Sequence, residues 1–258
     1  MRVTVLGCGT STGVPVVGCD CAVCRSTDPK NHRLRCSALV ETQGKRLLID
    51  TGPDLRQQAL RHGITTVDAV LFTHAHADHL HGLDEVRSFN ITKGGAIDAF
   101  ADRATLWQLE TRFGYCLHGH GHKPGHGWWR PALVPHLIDG PFDAAGIAVT
   151  PFTQGHGGST TTGFRIGNFA YSPDADTLPD PTLEALQGLD LWIVDALRDR
   201  PHPSHSHLQR TLQWIAQVRP KHAVLTHMNH EVDYTTWREL LPAGVEPGYD
   251  GMVLDLDD

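Results

Sequence analysis

Residues 74–79 read His-Ala-His-Ala-Asp-His, directly after the apolar run 68–73, Asp-Ala-Val-Leu-Phe-Thr. A short apolar run predicts a buried strand, so the cluster sits where a strand emerges into a loop. His74, His76, Asp78 and His79 place four potential metal ligands within six residues. They cannot all face one ion, but a loop that turns back on itself can offer them to two adjacent ions. Imidazole and carboxylate together suit Zn²⁺, Mn²⁺ or Fe²⁺ better than Ca²⁺ or Mg²⁺. The chain carries 18 histidines in 258 residues, and their clustering calls for the same explanation. The alternative is a solvated polar loop.

Composition narrows the classes. The formal net charge of −7 opposes a dedicated polyanion binder and disfavours extended nucleic acid, while leaving small phosphate esters open. No apolar run approaches the roughly 18 residues of a membrane span. The start, Met1 to Leu6 followed by Gly7-Cys8-Gly9, is too short to read as a signal peptide. The expected compartment is the cytoplasm, where the six cysteines serve as ligands or core residues and not as disulfides.

Along the chain, patterning predicts a strand at 2–6, a hairpin of 36–42 and 45–50 turning at Gln43-Gly44, and a helix over 53–61 with Pro53 at its first position. A second helix is expected at 103–113. Further strands are expected near 146–152, 161–166, 168–172, 190–195, 221–226 and 251–256. A helix over 206–217 shows Ser206 and Gln209 in capping-box spacing, with Leu208, Leu212 and Ile215 on one face. This alternation, with hairpins mixed in, predicts an α/β fold of sheets with helices outside, not a simple Rossmann domain.

His-x-His-x-Asp-His after a buried strand resembles the signature of the metallo-β-lactamase superfamily. The other motifs of that family follow in order: Leu47-Leu48-Ile49-Asp50, Gln154-Gly155-His156, Ser172-Pro173-Asp174 and Val224-Leu225-Thr226-His227. The resemblance implies a four-layer αββα sandwich forming one hydrolase domain over 1–258. It implies one metal on His74, His76 and His156, a second on Asp78, His79 and His227, and Asp174 as the bridge. Asp176, two residues on, is the rival for that last role. Asp50 would orient a ligand histidine.

Cys19, Cys21 and Cys24 form a second metal pattern, since three thiolates so close suit a closed zinc site that needs one more ligand. A Cys-x-Cys-x-x-Cys loop near the N-terminus, here at about 18–25, resembles the phosphoribosyl cyclic phosphodiesterase branch of the superfamily. So do the stretch Gly7 to Pro15 and the tail Gly248-Tyr249-Asp250-Gly251-Met252. By that resemblance His230 is the fourth ligand, and the zinc ties the N-terminal loop to the loop carrying His227.

The implied function is hydrolysis of a small cyclic phosphodiester, either 5-phosphoribosyl 1,2-cyclic phosphate or a nucleoside 2′,3′-cyclic phosphate. The nucleophile would be a hydroxide bridging two divalent metals, Mn, Zn or Fe. His205, just before the expected helix, would be the general acid, with His202 and His207 as alternatives, and Asp78 and Asp50 complete the catalytic set. A helix N-terminus disfavours imidazolium and a bound phosphate favours it, and sequence leaves that contest open. A homodimer fits the resemblance. The rivals are a tRNA 3′-processing ribonuclease, against which the acidic charge and the lack of a long basic arm speak, and an inactive zinc-stabilised cofactor-biosynthesis or binding protein. Lactam or thioester hydrolysis is a third. Three weaker signals remain. Glycines around His118, His120, His122 and His126 predict a mobile loop, a lid or simply a solvated surface. Arg87, three residues after Asp84, is an intrahelical partner or a phosphate clamp. The backbone of Gly7 to Gly13 could cradle a phosphate.

Overall fold

The computed structural model describes residues 1–118 and 132–257. The first sheet takes β1 (Arg2–Gly7), β2 (Ser37–Thr42), β3 (Lys45–Ile49), β4 (Ala69–Leu71), β5 (Ile97–Ala101) and β6 (Leu133–Leu137). The second takes β7 (Phe142–Ala144), β8 (Ile147–His156), β9 (Ser159–Ile166), β10 (Phe169–Ser172), β11 (Leu191–Asp195), β12 (His222–Thr226) and β13 (Val245–Pro247). The last strand, β14 (Val253–Asp255), returns to pair antiparallel with β1. Each sheet therefore holds seven strands among the described residues. In each, three antiparallel pairings are followed by three parallel ones.

Alternation along the strands builds the layers. Leu47 and Ile49 of β3 belong to the core between the sheets, with Val3, Val40, Phe164, Ile193 and Val224. Leu48, pointing the other way, packs with α1 (Leu55–His62), α3 (Val86–Lys93) and α4 (Arg103–Leu117) through Leu55, Phe89 and Leu109. A strand buried on both faces has to read as a continuous apolar run, and β3 does. On the far side α6 (Leu208–Val218) and α7 (Tyr234–Leu240) cover the second sheet through Trp214, Val218 and Trp237. This is the αββα sandwich. The short helices α2 (Ala77–Leu80) and α5 (Asp180–Ala185) fill the connections. No helix among the described residues is long and apolar enough to cross a membrane.

Several boundaries differ from the sequence expectation for physical reasons. The hairpin turns at Gln43 and Gly44 with φ of 50° and 72°, as a two-residue turn with both central residues left-handed requires. Helix α1 starts at Leu55, not at Pro53, and the Asp54 carboxylate at its N-cap serves Arg35 instead of the helix, accepting from its backbone N–H at 2.9 Å and pairing with its Nε at 3.0 Å. Helix α6 starts at Leu208 behind an N-cap His207, and the expected capping box is absent. Ser206 instead turns inward, its Oγ 2.7 Å from Thr211 Oγ1. The buried face of α6 centres on Thr211, Trp214 and Val218, with Leu208, Leu212 and Ile215 at its margin. The strand expected at 251–256 shrinks to 253–255, and the helix expected at 103–113 runs on to Leu117. Of the histidine-rich loop, His118 pairs with Glu110 at 2.6 Å, and His120, His122 and His126 lie outside the described residues.

Two glycines hold the loop after β4 against the end of β3. A Cβ on Gly82 would lie 1.9 Å from the Gly52 carbonyl oxygen, and one on Gly52 would lie 2.2 Å from that of Asp78. Gly82→Ala is expected to cost about 1–3 kcal/mol of unfolding free energy, read from urea midpoints. Gly95→Ala, where an added methyl meets nothing within 4 Å, should stay within about 0.5 kcal/mol of the parent. Equal midpoints for the two variants would refute the close-approach account.

Candidate active site

The carboxyl ends of the parallel strands of both sheets converge, the place where open α/β sheets hold ligands. From the first sheet, Asp50 follows β3 and His74 and His76 lie between β4 and α2. Asp78 and His79 sit in the first turn of α2. From the second sheet come His156 at the end of β8, Asp174 after β10, Asp195 at the end of β11 and His227 after β12. Asp50, Asp174 and His227 all have left-handed backbones, with φ of 64°, 50° and 59°. Non-glycine residues seldom adopt that conformation, and here it turns each side chain sharply off its strand end.

Two four-residue groups of side chains form beside a smaller one of Asp195, His205 and His227, each with its ligand atoms within 4.8 Å of one another. One holds His74, His76, His156 and Asp174; the other holds Asp78, His79, Asp174 and His227. Asp174 is common to both, 2% exposed, while Asp176 turns away to accept from the Gly157 N–H at 2.8 Å. The shared residue is thus Asp174 and not its rival.

Neighbouring groups fix the rings. Asp50 is fully buried, accepts from the Thr73 N–H at 2.9 Å and the Thr73 hydroxyl at 2.8 Å, and faces His79 Nδ1 at 2.7 Å. That leaves His79 Nε2 pointing at Asp174 Oδ1, 3.0 Å away. The Ser204 carbonyl oxygen faces His156 Nδ1 at 2.6 Å and leaves its Nε2 toward the cluster. Held on one ring nitrogen, each imidazole presents the other, as metal-binding histidines commonly do.

The donor set fits divalent metal. His79 Nε2 and Asp174 Oδ1 are buried, lie 3.0 Å apart and make no hydrogen bond, the arrangement of two atoms aimed at a common ion. Electrostatics keeps both shared-site carboxylates ionised and His74 neutral, but favours a proton on His79 that a bound metal would displace. Burial opposes ionisation of Asp174, but His227 and His79 outweigh it and hold the carboxyl well below its usual range. Burial also opposes ionisation of Asp78, and His79 and His227 again prevail. Burial, reinforced by the charge on His79, drives the His74 pKa well down and keeps its lone pair free. Burial works against charge on His79 itself, yet Asp174, Asp78 and Asp50 together raise it well above the usual value.

Beside the cluster stands His205, its ring stacked on His227 with centroids 4.5 Å apart and its Nδ1 4.0 Å from Asp174 Oδ2. Its partner is Asp195, at 3.1 Å. Burial disfavours imidazolium here, but Asp195 overrides it and raises His205 to about 9. Among the side chains around it, Asp195 is therefore the main group favouring charge on His205, which lies three residues before the start of α6. His202 is farther out, its ring 5.2 Å from that of His205. His207 stands at the N-cap position of α6, its side chain makes no capping hydrogen bond, and burial with the nearby Arg210 lowers its pKa. Asp195 escaped the sequence reading, although Leu191-Trp192-Ile193-Val194-Asp195 repeats the pattern of an apolar strand closed by an acid seen at Asp50.

Cys19, Cys21 and Cys24 also come together, with their sulfurs within 4.8 Å. The Cys24 N–H donates to Cys21 Sγ at 3.4 Å and lowers its pKa, whereas burial outweighs the Val16 N–H donated to Cys24 Sγ at 3.3 Å and pushes the Cys24 thiol up to about 11. His230 meets this group through its carbonyl oxygen, 3.6 Å from Cys21 Sγ, and its imidazole does not join the cluster as expected. The N-terminal loop is bound to the His227 loop by other means as well. The Met228 N–H donates to the Cys8 carbonyl at 3.0 Å, and buried Arg33 donates to the Asn229 and Val232 carbonyls at 3.2 and 2.8 Å. The N–H groups of Cys8, Gly9, Thr10 and Gly13 are committed to Asp250, Leu34, Met228 and Thr10 and are not free to cradle a phosphate. Arg87 is held by Asp84 within its own helical turn, which leaves the intrahelical reading.

Residues 45–228 match the family described as beta-lactamase superfamily domain. A curated relative, an octanoyltransferase of Porphyromonas gingivalis, is 38% identical over 261 residues, which covers 100% of this chain and 52% of the relative. The chain thus spans about half the length of that protein. The crystal structure of a diphosphatase from the PhnP family superposes with a TM-score of 0.91 at 39% identity, over 99% of this chain and 98% of that one. Zinc-bound PqqB from Methylobacterium extorquens shares the fold, with a TM-score of 0.79 at 20% identity over 99% and 100% of the two chains.

The Asp195–His205 pair makes stability depend on pH in the metal-free protein. A histidine raised from 6.5 to about 9 contributes fully below about pH 6.5 and loses that contribution as pH rises through about 9. The deficit of Asp195→Asn in urea unfolding should accordingly be larger at about pH 6 than at about pH 10, by about 2 kcal/mol. A deficit independent of pH would remove Asp195 as the cause.

Proposed function

The chain belongs to the metallo-β-lactamase superfamily and, within it, to the PhnP family of metal-dependent hydrolases, and from that premise we propose that it hydrolyses small cyclic phosphodiesters. The substrates proposed are 5-phosphoribosyl 1,2-cyclic phosphate or a nucleoside 2′,3′-cyclic phosphate. The observation that carries this reading is the pair of ligand groups sharing Asp174, with His205 alongside.

His74, His76, His156 and Asp174 would hold one divalent ion, and Asp78, His79, Asp174 and His227 a second. Zn²⁺, Mn²⁺ or Fe²⁺ suits these donors. Bound there, a metal pair supplies Lewis acidity and a water acidic enough to serve as nucleophile near neutral pH. The chain's own residues do the rest. Asp50 and the Ser204 carbonyl keep His79 and His156 in place, and burial of both rings excludes bulk water. His205, restrained by Asp195, would donate a proton to the departing sugar oxygen as the ring opens. A structural zinc on Cys19, Cys21 and Cys24 would brace the loop behind His227, which meets this group at the His230 carbonyl.

A second reading has a specific observation behind it, because the relative at 39% identity is a diphosphatase. A phosphoanhydride presents the same electrophilic phosphorus, and its leaving phosphate needs less help from His205 than an alkoxide does.

The test is ³¹P NMR of the metal-loaded protein against both cyclic esters, a nucleoside diphosphate ester and a precursor tRNA. Ring opening of a cyclic ester, lost in Asp174→Ala, is the expected result. His205→Ala is expected to lower kcat about 100-fold or more on a cyclic ester, with metal content by mass spectrometry equal to the parent. Cleavage of the diphosphate alone would select the second reading, and cleavage of the tRNA alone would overturn both.

A further inference from the structure

A cavity of about 830 Å³ opens against the His74–His76 side of the cluster, walled by α4 and by Ser159 and Thr160 of β9. Its size falls in the range of small-molecule sites. Two features of its α4 wall are unexplained by the metal cluster. The first is charge. Arg103 and Arg112 both line the cavity, and the acid beside them, Asp102, is committed to capping α4, accepting from the Thr105 N–H at 2.8 Å. Arg112 also donates to the Ala75 carbonyl at 2.8 Å, which holds its guanidinium at the foot of the histidine loop. In a chain of net charge −7 this is a local reversal of sign.

The second feature is Trp107, one helical turn after Arg103 and on the same face. Its side chain is 63% exposed, and among the described residues no ring or cation stacks on it. An exposed large apolar group is informative where it borders a site. Indole beside guanidinium, next to a cluster built for phosphorus chemistry, is the pairing that recognises a nucleotide: the base stacks and the phosphate is drawn in by charge.

We propose that this cavity is a nucleobase subsite in which Trp107 stacks on the base of a nucleoside phosphate while Arg103 and Arg112 attract its anionic end toward the His74–His76 edge. It rests on the phosphodiesterase reading above and chooses between that reading's two substrates. A base-free sugar phosphate leaves the indole in water, and a nucleotide covers it.

Two measurements test this. The first is the ratio of kcat/KM for adenosine 2′,3′-cyclic phosphate to that for 5-phosphoribosyl 1,2-cyclic phosphate. Trp107→Leu should lower the ratio about tenfold or more, and Trp107→Phe should keep most of it, since a smaller ring still stacks. A structural role for Trp107 would instead lower both substrates together and leave the ratio unmoved, which would overturn the subsite. The second measurement needs no turnover. In the presence of EDTA, AMP should quench the tryptophan fluorescence and ribose 5-phosphate should not, and Trp107→Leu should abolish the AMP signal. Equal quenching in parent and variant would overturn the proposal. If neither cyclic ester is hydrolysed but AMP quenches through Trp107, the phosphodiesterase reading fails and the base subsite stands.

Discussion

The site depends first on one buried carboxylate. Asp50 has no solvent to satisfy it, and its oxygens are taken by the Thr73 N–H, the Thr73 hydroxyl and the His79 ring. These contacts join the end of β3, the loop after β4 and the first turn of α2. Remove them and His79 loses its orientation, while the loop bearing His74 and His76 loses its anchor to the sheet. An unpaired charge in that position is expensive, so the three segments are held together by the need to keep Asp50 solvated by protein. The close approaches at Gly52 and Gly82 serve the same convergence, because the loop reaches Asp50 only if the backbones nearly touch.

The second sheet places a comparable strand-end acid at Asp195, whose Oδ2 takes the hydrogen bonds while its Oδ1 makes none. That carboxylate, also fully buried, accepts from the Ala175 N–H at 2.9 Å and holds His205 at 3.1 Å. One strand-end acid thus steadies a ligand histidine in the first half, and its counterpart in the second half steadies the histidine beside Asp174. The parallel extends to the sheets, whose pairings run in the same order of antiparallel and then parallel.

Much of this was legible in the chain because its signals are local. His74 to His79 announce themselves by adjacency, and Asp50, His156, Asp174 and His227 by following apolar strand runs in a family order. The signals that failed depend on distant partners. Ser206 has the spacing of a cap, but Thr211 claims its hydroxyl. Strand β5 was hidden because Asp98 interrupts it, and the structure shows that Asp98 pairs with His136 on β6 at 2.8 Å. Strand β6 carries Pro135, which argues against a strand in sequence and is tolerated because β6 is an edge. The Asp195 pattern was visible, yet nothing local says which histidine it will meet.

The sharing of Asp174 has a mechanical consequence. One ligand group draws His74 and His76 from the first half of the chain and His156 from the second, and the other draws Asp78 and His79 from the first and His227 from the second. Neither sheet owns a complete site. Ions bound there would act as cross-links that clamp the open rim of the sandwich, joining segments far apart in sequence and removing much of the freedom of the unfolded chain. Catalytic centre and fastener would be one object, so loading the protein with metal would also decide how firmly its two halves are closed.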